Sequence, residues 1–386
     1  MRGHRSYVVF VLSGLAAMLL AVVCLNLMLT ENSTLVRNVR AASEWQQRTR
    51  GITVVDVGRA NNRPFKTLRL NDRLPDINAM IFGSSAVMAI RHDMFPDHIR
   101  VYNFSQNGNF LVSTIGEIDY VLAHHPHVKW MVVEISWANG SLYQTAEPSA
   151  LNLSPDHAFA APAQGGPRID EIRDALSYPR VVNLVGILAS IARSSDVWAG
   201  FRRTFVDPGG DEYRCADGLA KDHQPNYPGT CFGFAYDGST AFRHLARVDD
   251  ARRVIAASAV PDSSVGRRLV SSRGEPNQLL LDRIAAQAER LAQRGGTMIF
   301  VIPPALPGFE QALAQQRELA PFLRRTKHAL ADWAERRRLV LFDGGPSERF
   351  GCVAMEFVDD VHAVPECYQK VLRALWEAEP ALASPH

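Results

Sequence analysis

The sequence predicts an α/β fold organised on a mostly parallel sheet of about five strands. Three observations carry that prediction. Apolar runs of strand length alternate with stretches of helical periodicity; a central strand is apolar almost throughout, as when both faces of a sheet are covered; and the first runs give way to polar, glycine-containing turns. Composition agrees, since 386 residues at 47% hydrophobic and 21% charged exclude a disordered or collagen-like chain. A net charge of +2, with basic and acidic residues interleaved, leaves no footprint for nucleic acid. There is no repeat at solenoid spacing and no low-complexity tract.

In chain order, a basic start (Met1-Arg2-Gly3-His4-Arg5) precedes Tyr7 to Thr30, which carries no charge. At ~1.5 Å per residue this run crosses a hydrocarbon core of ~30 Å. It exceeds the roughly 7–15 apolar residues of a cleaved signal peptide, so an uncleaved anchor over residues 1–30 is predicted. Positive charge on the leading side puts the N-terminus in the cytoplasm and the rest outside, making a single-pass protein of the cytoplasmic (inner) membrane with an extracytoplasmic, periplasmic domain. Cys24 reads as a membrane-buried cysteine, because Val22-Val23 lacks the small residue of a lipoprotein cleavage site. Residues 31–75, with mixed charge and only short apolar runs such as Ile52 to Val55, read as a stalk that includes an optional edge strand.

The folded unit is expected over 76–386. Ile77 to Phe82 is its first strand and Arg100 to Phe104 its second. Leu111, Ile115, Ile118 and Leu122 then mark the buried stripe of a helix that stops at Pro126. Val128 to Ile135 is the next strand, apolar nearly throughout. Over 140–274 the alternation fails, and the segment reads as an insertion or cap able to shape a cleft. Within it Val181 to Ile191 is apolar but cut short by Arg193 and Asp196, so a buried or interfacial helix is expected there. Order returns with a helix faced by Leu280, Ile284, Ala288 and Leu291, which ends at Gly295-Gly296. A strand at Thr297 to Ile302, a helix opened by Pro321, a strand at Arg338 to Phe342 and a helix from Pro365 complete the chain.

Chemistry concentrates at two distant places. Ile81-Phe82-Gly83-Ser84-Ser85 delivers a serine to the sheet's carboxyl edge, where open α/β folds place ligands. The bland alternative is a turn with a helix N-cap. Near the other end lies Asp359-Asp360-Val361-His362. A carboxylate three residues before a histidine on a tight turn accepts the Nδ1 proton and leaves Nε2 free to take one from a serine hydroxyl. Ser85, Asp359 and His362 are therefore the candidate catalytic residues, with Ser84 and Asp360 as rivals for two of those places. Cys352 and Cys367 bracket the histidine turn, and pairing them would hold it; Cys215 and Cys231 make the other candidate pair, with reduced thiols or other pairings equally open to the sequence. His124, His125 and His127 surround a proline without nearby carboxylates or thiols, so a solvated helix end is expected rather than a metal site. Trp137 and Trp333 read as core or cleft wall. No metal and no other cofactor is expected.

These motifs, in this order, resemble the SGNH (GDSL) hydrolase superfamily, over residues 77–139 and 297–378. Gly83-Ser84-Ser85 is similar to its Gly-Asp-Ser block, with Ser84 in the Asp slot and Ser85 as nucleophile. Asn103 and Gly108 keep the spacing of its Asn and oxyanion-hole Gly, although Asn103 by itself reads as a turn-maker. Asp359 and His362 match its Asp-x-x-His. Its Gly-x-Asn-Asp block is replaced by Ser136-Trp137-Ala138-Asn139, so Asn139, one place late, stands for its oxyanion asparagine. The resemblance implies an SGNH-like, flavodoxin-like three-layer sandwich. It also implies acyl transfer through an acyl-serine, with oxyanion donors from Ser85, Gly108 and Asn139. The divergent third block and the anchor resemble the exported branch that works beside membrane-bound O-acyltransferases, as in alginate O-acetylation and teichoic-acid D-alanylation. An O-acyltransferase on a cell-surface or exported polysaccharide, a carbohydrate esterase of the same fold, and an inactive tethered scaffold for a membrane acyltransferase are the three functions this leaves.

Overall fold

A computed structural model of the protein describes residues 2–28, 43–44, 46–51, 63–71, 77–106, 108–138, 141–143, 172–173, 175–206, 233–240 and 248–382. The chain begins with α1 (Arg2–Met28), whose stretch Tyr7–Met28 is long and apolar enough to cross a membrane. A short helix α2 (Arg63–Asn71) leads to β1 (Ala79–Phe82), β2 (Val101–Asn103), α3 (Leu111–His124) and β3 (Trp130–Glu134). Among the described residues four α-helices follow: α4 (Tyr178–Ala192), α5 (Val197–Phe201), α6 (Val248–Ser258) and α7 (Ser264–Ser272). The remaining elements are α8 (Gln278–Ala292), β4 (Thr297–Ile302), α9 (Phe309–Gln315), α10 (Ala320–Arg337), β5 (Val340–Asp343) and α11 (Pro365–Ala378).

The five strands form one sheet in the order β2-β1-β3-β4-β5, and every pairing is parallel. All residues of β1, β2 and β3 are buried. Because successive side chains point to opposite faces, full burial means that the sheet is covered on both sides. The order reverses between β1 and β3, which makes the gap beyond their carboxyl ends the topological switch point of the sheet.

The helices obey the local signals. The Asn277 side chain accepts from the N–H groups of Leu279 and Leu280 and so caps α8. Pro321 and Pro365 lie in the first turns of α10 and α11, where the missing N–H costs nothing.

One expectation changes. The predicted stalk, 31–75, contains α2, whose residues Phe65 to Leu70 are all buried, so this part of the stalk belongs to the folded body. Lys66 and Arg69 disguise it as a surface segment. The Lys66 ammonium donates to the Asn103 and Ser105 carbonyls, and burial pulls its pKa down to about 7 against the nearby charges of Asp237 and Glu117. Arg69 donates to Gln46 and stacks over Tyr236. The possible edge strand at 52–55 lies outside the described residues. Within the segment read as an insertion or cap, Val265 and Leu269 of α7 join the same apolar cluster as the strands.

Candidate active site

The turn that carries Ser85 is built where β1 meets β3. Gly83 follows β1 with φ +151°, and a Cβ there would stand 2.5 Å from both Cβ and Oε2 of Glu134. Only glycine lets the two strand ends approach this closely. Glu134, the last residue of β3, uses that proximity: its carboxylate accepts from the backbone N–H and the hydroxyl of Ser84. Ser84 in turn caps a 3-10 turn, Ser85–Val87, through Ala86 N–H. The turn is held from two further sides. Asn103 Nδ2 donates to the carbonyls of Val87, Met88 and Ile90, and the buried Tyr368 hydroxyl of α11 donates to Ala86 O. Ser85 alone in the turn is half-buried.

The second half of the site comes from the loop before α11. Asp359 accepts from the N–H groups of Val361 and His362 and from the His362 ring at Nδ1, the last at 2.8 and 2.9 Å. His362 Nε2 lies 2.8 Å from Ser85 Oγ, across 277 positions of sequence. Ser85, His362 and Asp359 thus form one hydrogen-bonded chain. Burial by itself would raise the Asp359 pKa, but the bonds from His362 and from the two N–H groups hold it below the ordinary carboxylate value. For His362, burial favours the neutral ring; the Asp359 bond and charge, with Asp360 and Glu134, outweigh it and push the pKa above the usual histidine value. Asp360 faces the same cleft, and burial together with Asp359 raises its pKa. Glu134 is raised by burial too, against the opposing bonds from Ser84 and the charge of His362.

A disulfide between Cys352 and Cys367 closes the loop that carries Asp359 and His362. Cys215 and Cys231 lie outside the described residues, as does Asn139. Gly108, at φ +63°, is on the cleft wall. Its N–H and that of Ser85 have no hydrogen-bond partner among the described residues. Asn103, engaged with four main-chain groups and the Ser105 hydroxyl, is a clamp on the turn and offers nothing to a ligand.

The cleft over Ser85 measures about 370 Å³. Trp137, Pro303 and Pro304 form apolar wall, and Ser264, Val265 and Arg268 of α7 close it from the other side. Arg268 donates to Ala138 O at 2.6 Å. Trp333 packs against Phe300 in the core. Beyond the end of α3 the His125 ring meets that of His127 edge-on, while His124 stacks on Tyr120, and burial followed by the charges of His127 and His124 lowers His125 to about 4.

Sequence reasoning missed Glu134 and Arg268. Glu134 did carry a signal, an acid ending an otherwise apolar strand on a two-sided sheet. Arg268 carried none, since one arginine in an irregular segment resembles any surface residue. Comparison with protein-family models and with curated proteins finds nothing that matches this sequence.

Proposed function

We propose that this chain is a membrane-anchored, extracytoplasmic acyl-ester enzyme of SGNH type. In this reading it is an O-acyltransferase, most simply an acetyltransferase, that modifies a cell-surface or exported polysaccharide through an acyl-serine. The observation that carries the proposal is the contact between Ser85 Oγ and His362 Nε2 with Asp359 on the opposite ring nitrogen, at the floor of a cleft. The strand order is that of a flavodoxin-like sheet, which supports the superfamily reading.

In the first step His362 takes the hydroxyl proton of Ser85 while Asp359 holds the ring and stabilises the imidazolium. Ser85 Oγ attacks the ester carbonyl, and the oxygen that becomes negative is met by the N–H groups of Ser85 and Gly108. Each such donor is worth about 10²–10³ in rate. His362 returns its proton to the departing alcohol, which leaves an acyl-serine. A sugar hydroxyl, deprotonated by the same ring, then attacks the acyl carbonyl; the bond from the carbonyl carbon to Ser85 Oγ breaks, the acyl group stays on the sugar, and His362 returns the proton to Ser85. Apolar α1 supports the anchor, and the Cys352–Cys367 disulfide fits an oxidising, extracytoplasmic compartment. A membrane-bound O-acyltransferase is the donor-side partner in this scheme.

One observation favours hydrolysis as the second reading. The Asp359 side chain is 42% exposed and that of His362 25%, so water reaches the base that would activate it against the acyl-serine. Incubation of the full-length protein with an activated acyl ester, with and without oligosaccharide, separates the two by mass spectrometry. An acyl adduct on Ser85 that discharges faster with oligosaccharide, with acylated sugar formed, supports transfer. Discharge to free acid at one rate throughout supports the esterase. Ser85→Ala should lose both the adduct and fluorophosphonate labelling; a variant that labels like the parent overturns the serine assignment.

A further inference from the structure

We infer that α4 and α5 lie in the membrane interface, forming with the end of α1 a second contact of the protein with lipid. The inference rests on α1 crossing the bilayer as proposed above. Along α1, side chains from Tyr7 to Leu20 are exposed in every direction, as on a helix whose surroundings are lipid. The last turns differ. Val22, Leu25 and Met28 pack against Leu184, Ile187, Leu188 and Ile191 of α4, together with Phe201 and Phe205. Asn26, 1% exposed, donates to Ala175 O just before α4. The apolar span Tyr7–Met28 has 22 residues, about 33 Å at 1.5 Å each. Whatever packs on Val22 to Met28 therefore stands at the level of the outer part of a ~30 Å hydrocarbon layer.

The opposite side of α4 is also apolar. Tyr178, Val182 and Val185, spaced to share one helix face, are 81%, 51% and 60% exposed. Val197 and Trp198 on α5 add 53% and 71%. The one charged residue of α4, Arg180, is buried. A helix apolar on both sides, covered on one only, has no stable place in water. At 15 residues, about 22 Å, α4 is too short to span. Exposed Arg193 and Arg202 flank the patch, and Tyr178 and Trp198 supply the amphipathic rings that prefer the headgroup level. Continuity with the lipid-facing surface of α1 selects lipid, rather than a protein, as the occupant.

The test uses the full-length protein in phosphatidylcholine vesicles, with and without phosphatidylcholine brominated high on its acyl chains. Resistance to alkaline extraction reads α1. Bromine quenching of tryptophan emission reads the patch, because α1 contains no tryptophan. The expected result is quenching in the parent that is reduced in Trp198→Phe, and lost from Trp198 in Val182→Asp/Val185→Asp, while both variants stay in the pellet and label with fluorophosphonate like the parent. A pelleted parent whose quenching is the same with and without Trp198 overturns the inference and leaves the anchor standing. A parent released by alkali overturns the anchor itself. If a photocrosslinker at Val185 in native membranes joins an integral membrane protein and no lipid, a protein covers the face and the lipid assignment falls.

Discussion

The two halves of the candidate site are held in different ways. The turn that carries Ser85 is part of the sheet: Glu134 at the end of β3, Asn103 at the end of β2 and Tyr368 of α11 all bond to it, and Ser84 is 5% exposed. The turn that carries His362 is a local hairpin. It is tied by Val358 N–H to His362 O, by the Asp359 side chain, by Leu306 N–H donating to Asp360 O and by one disulfide, with Asp359 and His362 both partly open to solvent. The proposed nucleophile thus inherits its position from the fold, and the proposed base from a short cross-linked loop. Substitutions on the first side should cost stability and rate together; at Asp359 and His362 they should cost rate almost alone.

The sharpest contrast is with His362→Ala. Rate on an activated ester should fall by about 10⁴–10⁶, with stability in urea changed by less than about 1 kcal/mol. A large loss of stability would show that the loop is as integral to the fold as the turn. Asp359→Asn should cost about 10⁴ in rate by the same logic. The carboxylate also sets the pH dependence. His362 must be neutral to accept a proton, and its pKa lies above the ordinary value, so the rate should rise through that higher pH as the ring loses its charge. Removing the carboxylate leaves burial in command, and the acid limb measured with Asp359→Asn should move to lower pH.

On the sheet side, Glu134→Gln preserves volume but replaces one acceptor oxygen by a donor. The stranded Ser84 groups should cost about 1–3 kcal/mol in denaturation, and the displaced turn about tenfold in fluorophosphonate labelling. Unchanged stability would break the proposed division. The smallest rate effect is expected from Cys352→Ser/Cys367→Ser. Opening a loop of sequence separation 15 costs up to about 3 kcal/mol in the chain-entropy description, yet the catalytic hairpin keeps its own hydrogen bonds, so the rate should fall only a few-fold.

Much of the fold was legible in the residues. Strands at 79–82, 130–134 and 297–302 showed as apolar runs because the sheet is covered on both faces. The Asp359/His362 pair showed because its geometry is local. Helix α2 did not show, since Lys66 and Arg69 sit at buried positions and find their partners on Asn103, Ser105 and Gln46, far away in sequence. Nor did the role of Glu134, which depends on β3 lying beside β1.

By itself the sequence determined the apolar anchor-length helix, the parallel strand pattern and the pairing of an acid with a histidine, all properties of neighbours along the chain. Tertiary structure alone decided that Ser85 meets His362, that Glu134 clamps the turn carrying Ser85, and that α7 supplies a wall of the cleft. The physical reason is range. Periodicity and capping act over a few residues, whereas these contacts exist only once the sheet order has brought strand ends and loops together.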